Sequence, residues 1–174
     1  LIPIVDAQAV KNAFAAGIGQ SITTSIGGTL DPSRFRPIQI SGRVRLLSDG
    51  LFRSESFGEL WDSGPTAVLE CNHFTLVVSS RGVNLYDRSF FLAHGQDPRR
   101  FDAVVIKSPH CQPHMYADWC ARLLNIDAPG SSSANLPYLG HQRALRPLFP
   151  LDPHVPFNPE AAELEYFTRN HLRR

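Results

Sequence analysis

The sequence is poor in the features that mark several classes of protein. It has three cysteines and one methionine among 174 residues, and its 17 basic and 16 acidic side chains leave a net charge of +1. Three cysteines are too few, and odd in number, for a disulfide framework, which favours a reducing compartment. A near-neutral chain without a basic stripe is not typical of a nucleic-acid-binding protein.

Long hydrophobic runs are also missing. No apolar stretch approaches the roughly 20 residues that a membrane-spanning helix needs, and no signal-peptide pattern is seen. We therefore expect a cytoplasmic protein with no nucleic-acid and no membrane partner. Because 43% of the residues are hydrophobic and only 19% are charged, we expect a globular chain rather than a disordered one. The chain begins at Leu1, without methionine, inside a segment typical of ordered structure, and we expect it to be a piece of a longer protein.

Local signals in the first half predict one helix and several strands. Asp6 is a good N-cap for a helix over residues 7–16, in which Val10, Phe14 and Ile18 form an apolar stripe. Residues 21–26 are β-like, and alternating residues predict a strand over 37–47. A turn at 48–50 would return the chain as the partner strand of 37–47 over residues 51–57.

The strongest hairpin signal follows. Residues 67–71 and 74–78 flank Asn72-His73, and an asparagine tolerates the positive φ that a two-residue hairpin turn needs. Residues 83–86 are a candidate third short strand, and Asp87 would cap a short helix.

The second half opens on Ala103–Ile106, an apolar run typical of a strand buried on both faces. A helix carrying Met115, Trp119 and Leu123 would follow it. These elements predict an α/β (mixed α+β) fold. We expect a mixed β-sheet with antiparallel hairpins in the first half, an α/β unit in the second, helices packed on the sheet, and a single domain over 1–174.

Six short motifs then carry a family resemblance. In chain order they are SGRVRLLSDGLF (41–52), GPTAVLE (64–70), TLVVSSRGV (75–83), VVIKSPH (104–110), DAPG (127–130) and RPLFPLD (146–152). Together they resemble the C-terminal domain of the MlrC family, the metallopeptidases of the microcystin-degradation type.

The resemblance has clear implications for cofactor and partners. Proteins of this family are longer, and a larger N-terminal domain carries the zinc ligands. It implies zinc in the full-length protein, no cofactor in this chain, and the N-terminal metallopeptidase domain as partner. A homo-oligomer is a further candidate assembly. Whether this chain is itself an enzyme stays open, and we expect the isolated chain to be inactive.

Catalytic and metal chemistry within the chain is weakly supported. His110, Cys111, His114 and Cys120 are close in sequence, but their spacing matches no standard zinc signature, and Pro113 interrupts a helix across them. A hydrolase using Ser108 or Cys111 with His110 lacks the Gly-x-Ser-x-Gly turn of such nucleophiles. We therefore assign no metal ligand and no catalytic residue.

Ligand contact is the better hypothesis for the polar residues after the predicted buried strand. A lysine at a strand end can neutralise a carboxylate or phosphate, and exposed backbone N–H groups bind anions. Arg81 and Arg146 would either bind a substrate carboxylate or form structural ion pairs, and the second alternative is favoured. The candidate substrate-binding residues are Lys107, Ser108, His110, Arg81, Asp127 and Gly130.

The sequence thus predicts the C-terminal domain of an MlrC-like zinc-dependent hydrolase of peptide or amide bonds, which shapes the substrate cleft and helps assembly. The alternative is a non-catalytic module for small-anion binding or oligomerisation. The substrate and the oligomeric state stay open.

Overall fold

The fold was examined in a computed structural model that describes residues 1–29, 31–33, 35–106, 116–128, 136–149 and 151–155, with the backbone alone at 138 and 139. The chain divides into two compact units, residues 1–124 and 125–174. Each is treated by itself below. The assignment of 1–174 to a single domain stays a prediction.

The first unit contains seven strands and two helices among its described residues. Two 3₁₀ turns, Pro98–Arg100 in the first unit and Leu136–Leu139 in the second, complete the regular structure. The bounds are β1 Ile2–Val5, α1 Ala7–Ala16, β2 Ser21–Ile26, β3 Ile38–Ser48, β4 Leu51–Arg53, β5 Leu60–Asp62, β6 Thr66–Glu70, β7 Thr75–Ser79 and α2 Ser89–Ala93. In the part of the chain that the structure describes, no helix is long and apolar enough to cross a membrane.

A five-stranded mixed sheet in the order β1-β7-β6-β3-β2 forms the centre of the first unit. Its β1–β7 pair is parallel, and its other three pairs are antiparallel. The broad prediction of a mixed α/β sheet with antiparallel hairpins in the first half is confirmed. The finer picture differs because strands dominate: the described residues after β7 contain the five-residue α2 and two 3₁₀ turns, not an evident strand–helix–strand unit.

Helix α1 covers one face of this sheet. As predicted, Asp6 caps it, because Oδ1 accepts hydrogen bonds from the backbone N–H groups of Gln8 (3.1 Å) and Ala9 (3.0 Å). The predicted stripe is partly wrong, since Phe14 and Ile18 are exposed. The buried face instead uses small residues that let the helix approach the sheet, namely Ala9, Val10 and Ala13.

The opposite face of the sheet carries a second core. Neighbours along β7 alternate between the cores: Leu76 and Val78 pack with α1, whereas Val77 packs with Phe52, Phe90 and their neighbours. This second core is built on α2 and on a two-stranded sheet, β4–β5. The prediction that 51–57 pairs with β3 is therefore wrong, because β4 pairs with β5 over residues 51–53 and 60–62.

The hairpin β6–β7 is confirmed, with Glu70 opposite Thr75. Its turn differs from the prediction: only glycines have positive φ among the described residues, so Asn72 does not. Residues 83–86 are not a strand.

Asp87 joins the loop after β4 to the start of α2. Its carboxylate accepts hydrogen bonds from Ser54 Oγ (2.7 Å) and from the backbone N–H of Ser89 (2.9 Å). Burial alone would raise the pKa of Asp87, but the hydrogen bonds from Ser54 and Ser89 outweigh it and lower the pKa. The N-cap of α2 is Arg88, one residue later than predicted, and Asp87 instead accepts the first helical N–H, that of Ser89, from outside the helix.

The segment 103–106 is not a strand buried on both faces, which corrects the prediction. Val105 is 49% exposed, whereas Val104 and Ile106 pack against the second core. The segment lies beside β1, because the backbone N–H of Val105 is hydrogen-bonded to Leu1, the residue before that strand. The prediction of a helix after this segment is also wrong for the described residues, because residues 116–119 form a turn. Met115 lies outside the described residues.

Candidate functional site

In the first unit three parallel segments, β1, β7 and residues 103–106, have their carboxyl ends on the same side of the sheet, which is called the carboxyl edge below. Strands β1 and β7 are parallel. The terminal amino group of Leu1 donates to the Ala103 carbonyl (2.8 Å), and the backbone N–H of Val105 donates to the Leu1 carbonyl (2.9 Å). This pair of bonds around Val104 is the pattern of a parallel bridge. Because ligands of open α/β sheets bind outside the carboxyl ends of parallel strands, this edge is the candidate functional site.

Arg81 lies at this edge, two residues beyond the end of β7. Its guanidinium donates to the Asp62 carboxylate at the end of β5. The pair lies at the surface, with the Arg81 side chain 64% exposed and the Asp62 side chain 47% exposed. Such an exposed pair contributes about 0–1 kcal/mol to stability. Arg81 thus has an ion-pair partner within its own unit, the pair is weak enough to be rearranged, and a part for Arg81 in substrate binding stays a prediction.

The backbone beneath this ion pair is held firmly. The backbone N–H of Arg81 donates to the Ser63 carbonyl (2.9 Å), and Ser79 Oγ donates to the Arg81 carbonyl (2.8 Å). Asp62 Oδ1 accepts from the backbone N–H of Gly64 (2.7 Å), and Ser63 is fully buried. The position of Arg81 is therefore defined by the junction of β5 and β6, while its guanidinium reaches solvent.

A hollow of about 410 Å³ lies beside the ion pair. Trp61 supplies an aromatic wall, and its ring is fixed edge-on against Phe52 (6.1 Å between centroids) and Tyr86 (5.6 Å). The hollow is open to solvent, and Asp62 of the ion pair lines it whereas Arg81 does not. The residues that line the hollow are Trp61, Asp62, Gly82, Val83 and Asn84.

The structure tests few of the predicted binding residues. Lys107, Ser108, His110 and Gly130 lie outside the described residues, so their part in binding stays a prediction. Asp127 is exposed and belongs to the second unit. The chain reaches Ile106, just before Lys107, while running parallel to β1, towards the edge that carries Arg81.

Arg146 belongs to the second unit and also forms an ion pair. Its guanidinium binds the Asp152 carboxylate, which further accepts from the backbone N–H of Leu148 (2.7 Å). The hydrogen bond from Arg146 lowers the pKa of Asp152 to about 2. The structural alternative for Arg146 is therefore the one observed, and the pair closes the loop 146–152.

The described residues do not fit a zinc ion. In the ranges that the structure covers, no three His, Cys, Asp or Glu side chains converge on one point. Zinc sites need three or four such ligands. Of the four residues considered at first, Cys120 alone is described, and His110, Cys111 and His114 lie outside.

A buried histidine lies away from this edge. His94 is completely buried, and its Nδ1–H donates to the Phe90 carbonyl (2.6 Å). Nε2 is then an acceptor, and no described residue donates to it. The rings of Phe90 and Phe52 lie 4.9 and 6.3 Å from the imidazole. Enclosure by aromatic rings makes His94 a core residue rather than a ligand-contacting one.

His94 should make the fold sensitive to mild acid. Burial lowers the pKa of His94 below 6.5, with opposing contributions from the Phe90 carbonyl and Asp49. The folded state favours the neutral imidazole, so the contribution of His94 to the free energy of unfolding is complete above pH 6.5. Below pH 6.5 the imidazole binds a proton in the unfolded chain but not in the folded chain. The free energy of unfolding then falls by up to about 1.4 kcal/mol per pH unit. Urea unfolding between pH 8 and 5 measures this slope.

Two variants isolate the contribution of His94. His94→Asn retains a donor for the Phe90 carbonyl and should flatten the slope. His73→Gln, at an exposed histidine in the β6–β7 turn, should leave the slope as in the parent chain. Equal slopes in the parent and in His94→Asn would contradict the assignment.

The mixed sheet defines an α/β domain, and sequence comparison supplies its family. A family model described as MlrC C-terminus matches residues 1–143. The chain therefore belongs to the MlrC C-terminus family, as the six motifs predicted.

Two relatives support this membership. Microcystinase C from Sphingomonas sp. is 22% identical over 151 residues, which cover 87% of this chain and 29% of the relative. The crystal structure of a proposed metallopeptidase from Mesorhizobium sp. BNC1 is 28% identical and superposes with a TM-score of 0.74, covering 90% of this chain and 32% of that one. The chain thus spans about a third of the length of the relatives that it matches.

Asp62 and the hollow were not predicted from the sequence. No local pattern links Asp62 to Arg81, because the two residues meet only after β5 folds beside the end of β7. The one sequence signal at this place is Trp61, a large aromatic residue directly before Asp62.

Proposed function

We propose that this chain is the C-terminal domain of an MlrC-like, zinc-dependent hydrolase of peptide or amide bonds. The zinc and the water it activates belong to an N-terminal domain of the same protein. The present domain forms a wall of the substrate cleft with the edge that carries Arg81. The cytoplasm is the proposed location. The observation that carries the proposal is the family match over residues 1–143.

The geometry supports the cleft role in a second way. The open edge of the sheet has an exposed cation, an aromatic wall and a chain segment leading to Lys107, Ser108 and His110. An exposed cation and an aromatic wall are suited to binding and orienting a ligand, which supports a role in the substrate cleft.

The metal content of the chain tests the proposal directly. The isolated chain should hold no stoichiometric zinc and show negligible peptidase activity, and a chelator should leave its melting temperature unchanged. A protein in which an MlrC N-terminal domain precedes this chain should bind zinc, hydrolyse peptides and lose that activity with the chelator. Elemental analysis and a peptidase assay measure both.

Two outcomes would count against it. Stoichiometric zinc in the isolated chain would place the metal here. A longer protein that binds zinc, melts cooperatively and hydrolyses no peptide or amide would favour the non-catalytic binding or oligomerisation module.

A further inference from the structure

We propose that the hollow beside Arg81 is a binding subsite for a carboxylate flanked by an apolar side chain. In the ligand-bound state Arg81 leaves Asp62 and pairs with the carboxylate of the ligand, while the apolar group enters the hollow against Trp61. This deepens the proposed function, because it names acidic, apolar peptide groups as the class of ligand that the cleft wall accepts.

The hollow has a mixed lining, with Trp61 and Val83 as its apolar part and Asp62 and Asn84 as its polar part. Gly82 also lines it, and a Cβ built there would meet no atom within 4 Å, so the space is left open. Trp61 is held by edge contacts with Phe52 and Tyr86, so a ligand meets a preformed surface. Preformed aromatic walls bind apolar groups without first ordering a flexible side chain.

Arg81 has the properties of a ligand-binding cation. Hydrogen bonds to Ser63 and Ser79 fix its backbone. The absence of a side chain at Gly64 makes room for its stem: a Cβ there would lie 3.1 Å from Arg81 Cγ. The guanidinium binds carboxylates through two parallel hydrogen bonds, which gives orientation as well as attraction.

Asp62 acts as an internal substitute for the ligand carboxylate. Its Oδ2 receives the guanidinium, while its Oδ1 receives the Gly64 N–H, so the Asp62 side chain is held even after Arg81 leaves. Because both side chains of the pair are about half exposed, replacing the Asp62 carboxylate by that of a ligand changes the free energy little. Asp62 therefore competes with the ligand and lowers its affinity.

This competition predicts opposite effects at the two residues. Arg81→Gln removes the cation and should weaken binding about tenfold. Asp62→Asn retains the Oδ1 acceptor for Gly64 but removes the competing charge, and it should strengthen binding about two- to fivefold. A residue that only braces the fold would not give a gain of affinity.

The test uses the full 174-residue chain and N-acetyl-L-phenylalanine as the probe, followed by ¹H–¹⁵N NMR. We expect saturable shifts at the Trp61 indole N–H and at Gly82 and Asn84, with a Kd on the order of millimolar. N-acetyl-L-phenylalanine amide, which lacks the carboxylate, should bind at least about fivefold more weakly. Acetate, which lacks the ring, should shift Arg81 without shifting Trp61.

Arg45→Gln is the matched control. Arg45 also forms an exposed ion pair, with Glu70 (3.5 Å), away from the hollow, and its variant should bind the probe like the parent chain. Melting temperatures of all variants exclude unfolding as the cause of a loss. The proposal is overturned if the probe causes no shifts, if Asp62→Asn weakens binding, or if Arg45→Gln matches Arg81→Gln.

Failure of this inference and failure of the proposed function are distinguishable. Binding is measured without zinc and without catalysis. If the chain binds the probe but the longer protein is inactive, the proposed hydrolase function is contradicted and the proposed subsite is supported. If the longer protein is an active peptidase but the chain does not bind the probe, the hydrolase function is supported and the subsite is contradicted.

Discussion

Gly50→Ala should reduce the free energy of unfolding by about 4 kcal/mol, a large value for one methyl group. Gly50 has φ +83°, and a Cβ built on it would lie 1.8 Å from the Gly64 carbonyl oxygen. The variant must both adopt a left-handed backbone conformation, at a cost of about 1 kcal/mol, and displace the 63–64 backbone. That displacement disrupts the bonds that Ser63 donates to the Gly50 carbonyl through its N–H (3.0 Å) and its Oγ (2.9 Å).

Gly58→Ala separates the two contributions. Gly58 has φ +69°, but no atom lies within 4 Å of its added Cβ. It should therefore lose only about 1 kcal/mol, the conformational part of the effect at Gly50. Urea unfolding monitored by circular dichroism compares both variants with the parent chain. Similar losses in both would mean that the close approach of residue 50 to Gly64 does not contribute to stability.

The same approach matters for the proposed subsite. Gly50 packs on Ser63 and Gly64, and these two residues bind the backbone of Arg81 and the carboxylate of Asp62. A displacement at Gly50 is thus expected to reach the ion pair. The stability of this junction of β4, β5 and β6 and the geometry of the proposed subsite are therefore expected to change together.

Local signals were enough for the features that depend on neighbouring residues. The cap at Asp6 and the hairpin β6–β7 each depend on residues within a few positions of one another. Their physical causes, which are a side chain accepting a nearby N–H and two short apolar runs separated by a polar pair, are visible in the sequence.

Features that depend on distant neighbours were not predictable in this way. An apolar run such as 103–106 indicates burial, but whether it fills the centre of a sheet or its edge depends on which strands pair beside it. Likewise β4 follows β3 directly, yet it pairs with β5, because Phe52 and Trp61 together cover Phe90 and the second core. The Arg81–Asp62 pair is a consequence of that arrangement.

The family resemblance carried the functional prediction further than any single residue did. Each motif is short, and the family match over residues 1–143 covers five of the six, since RPLFPLD (146–152) lies beyond it. The motifs do not show which side chains contact a ligand, since that depends on the tertiary position of the strand ends.

Asp6→Ala should lower the free energy of unfolding by about 3 kcal/mol, because Asp6 joins two elements as well as capping one. Oδ1 caps α1, and Oδ2 accepts from the backbone N–H of Gly27 (2.9 Å) at the end of β2. Loss of an N-cap costs about 1 kcal/mol, and a buried donor left without an acceptor costs about 1–3 kcal/mol more. Asp6 is 2% exposed, so water does not easily replace the carboxylate.

Two further variants divide this effect. Asp6→Asn retains the Oδ1 acceptor for α1 but turns an amide nitrogen towards Gly27, so it should lose about 1–2 kcal/mol. Asp97→Ala removes a comparable cap, where Oδ1 accepts from the Arg99 N–H (3.1 Å) at a short 3₁₀ turn, and should lose less than about 1 kcal/mol. Urea unfolding at pH 7.5 ranks the three. If Asp6→Ala lost no more than Asp97→Ala, the bond from Gly27 would contribute nothing, and the cap alone would explain why aspartate is present at this position.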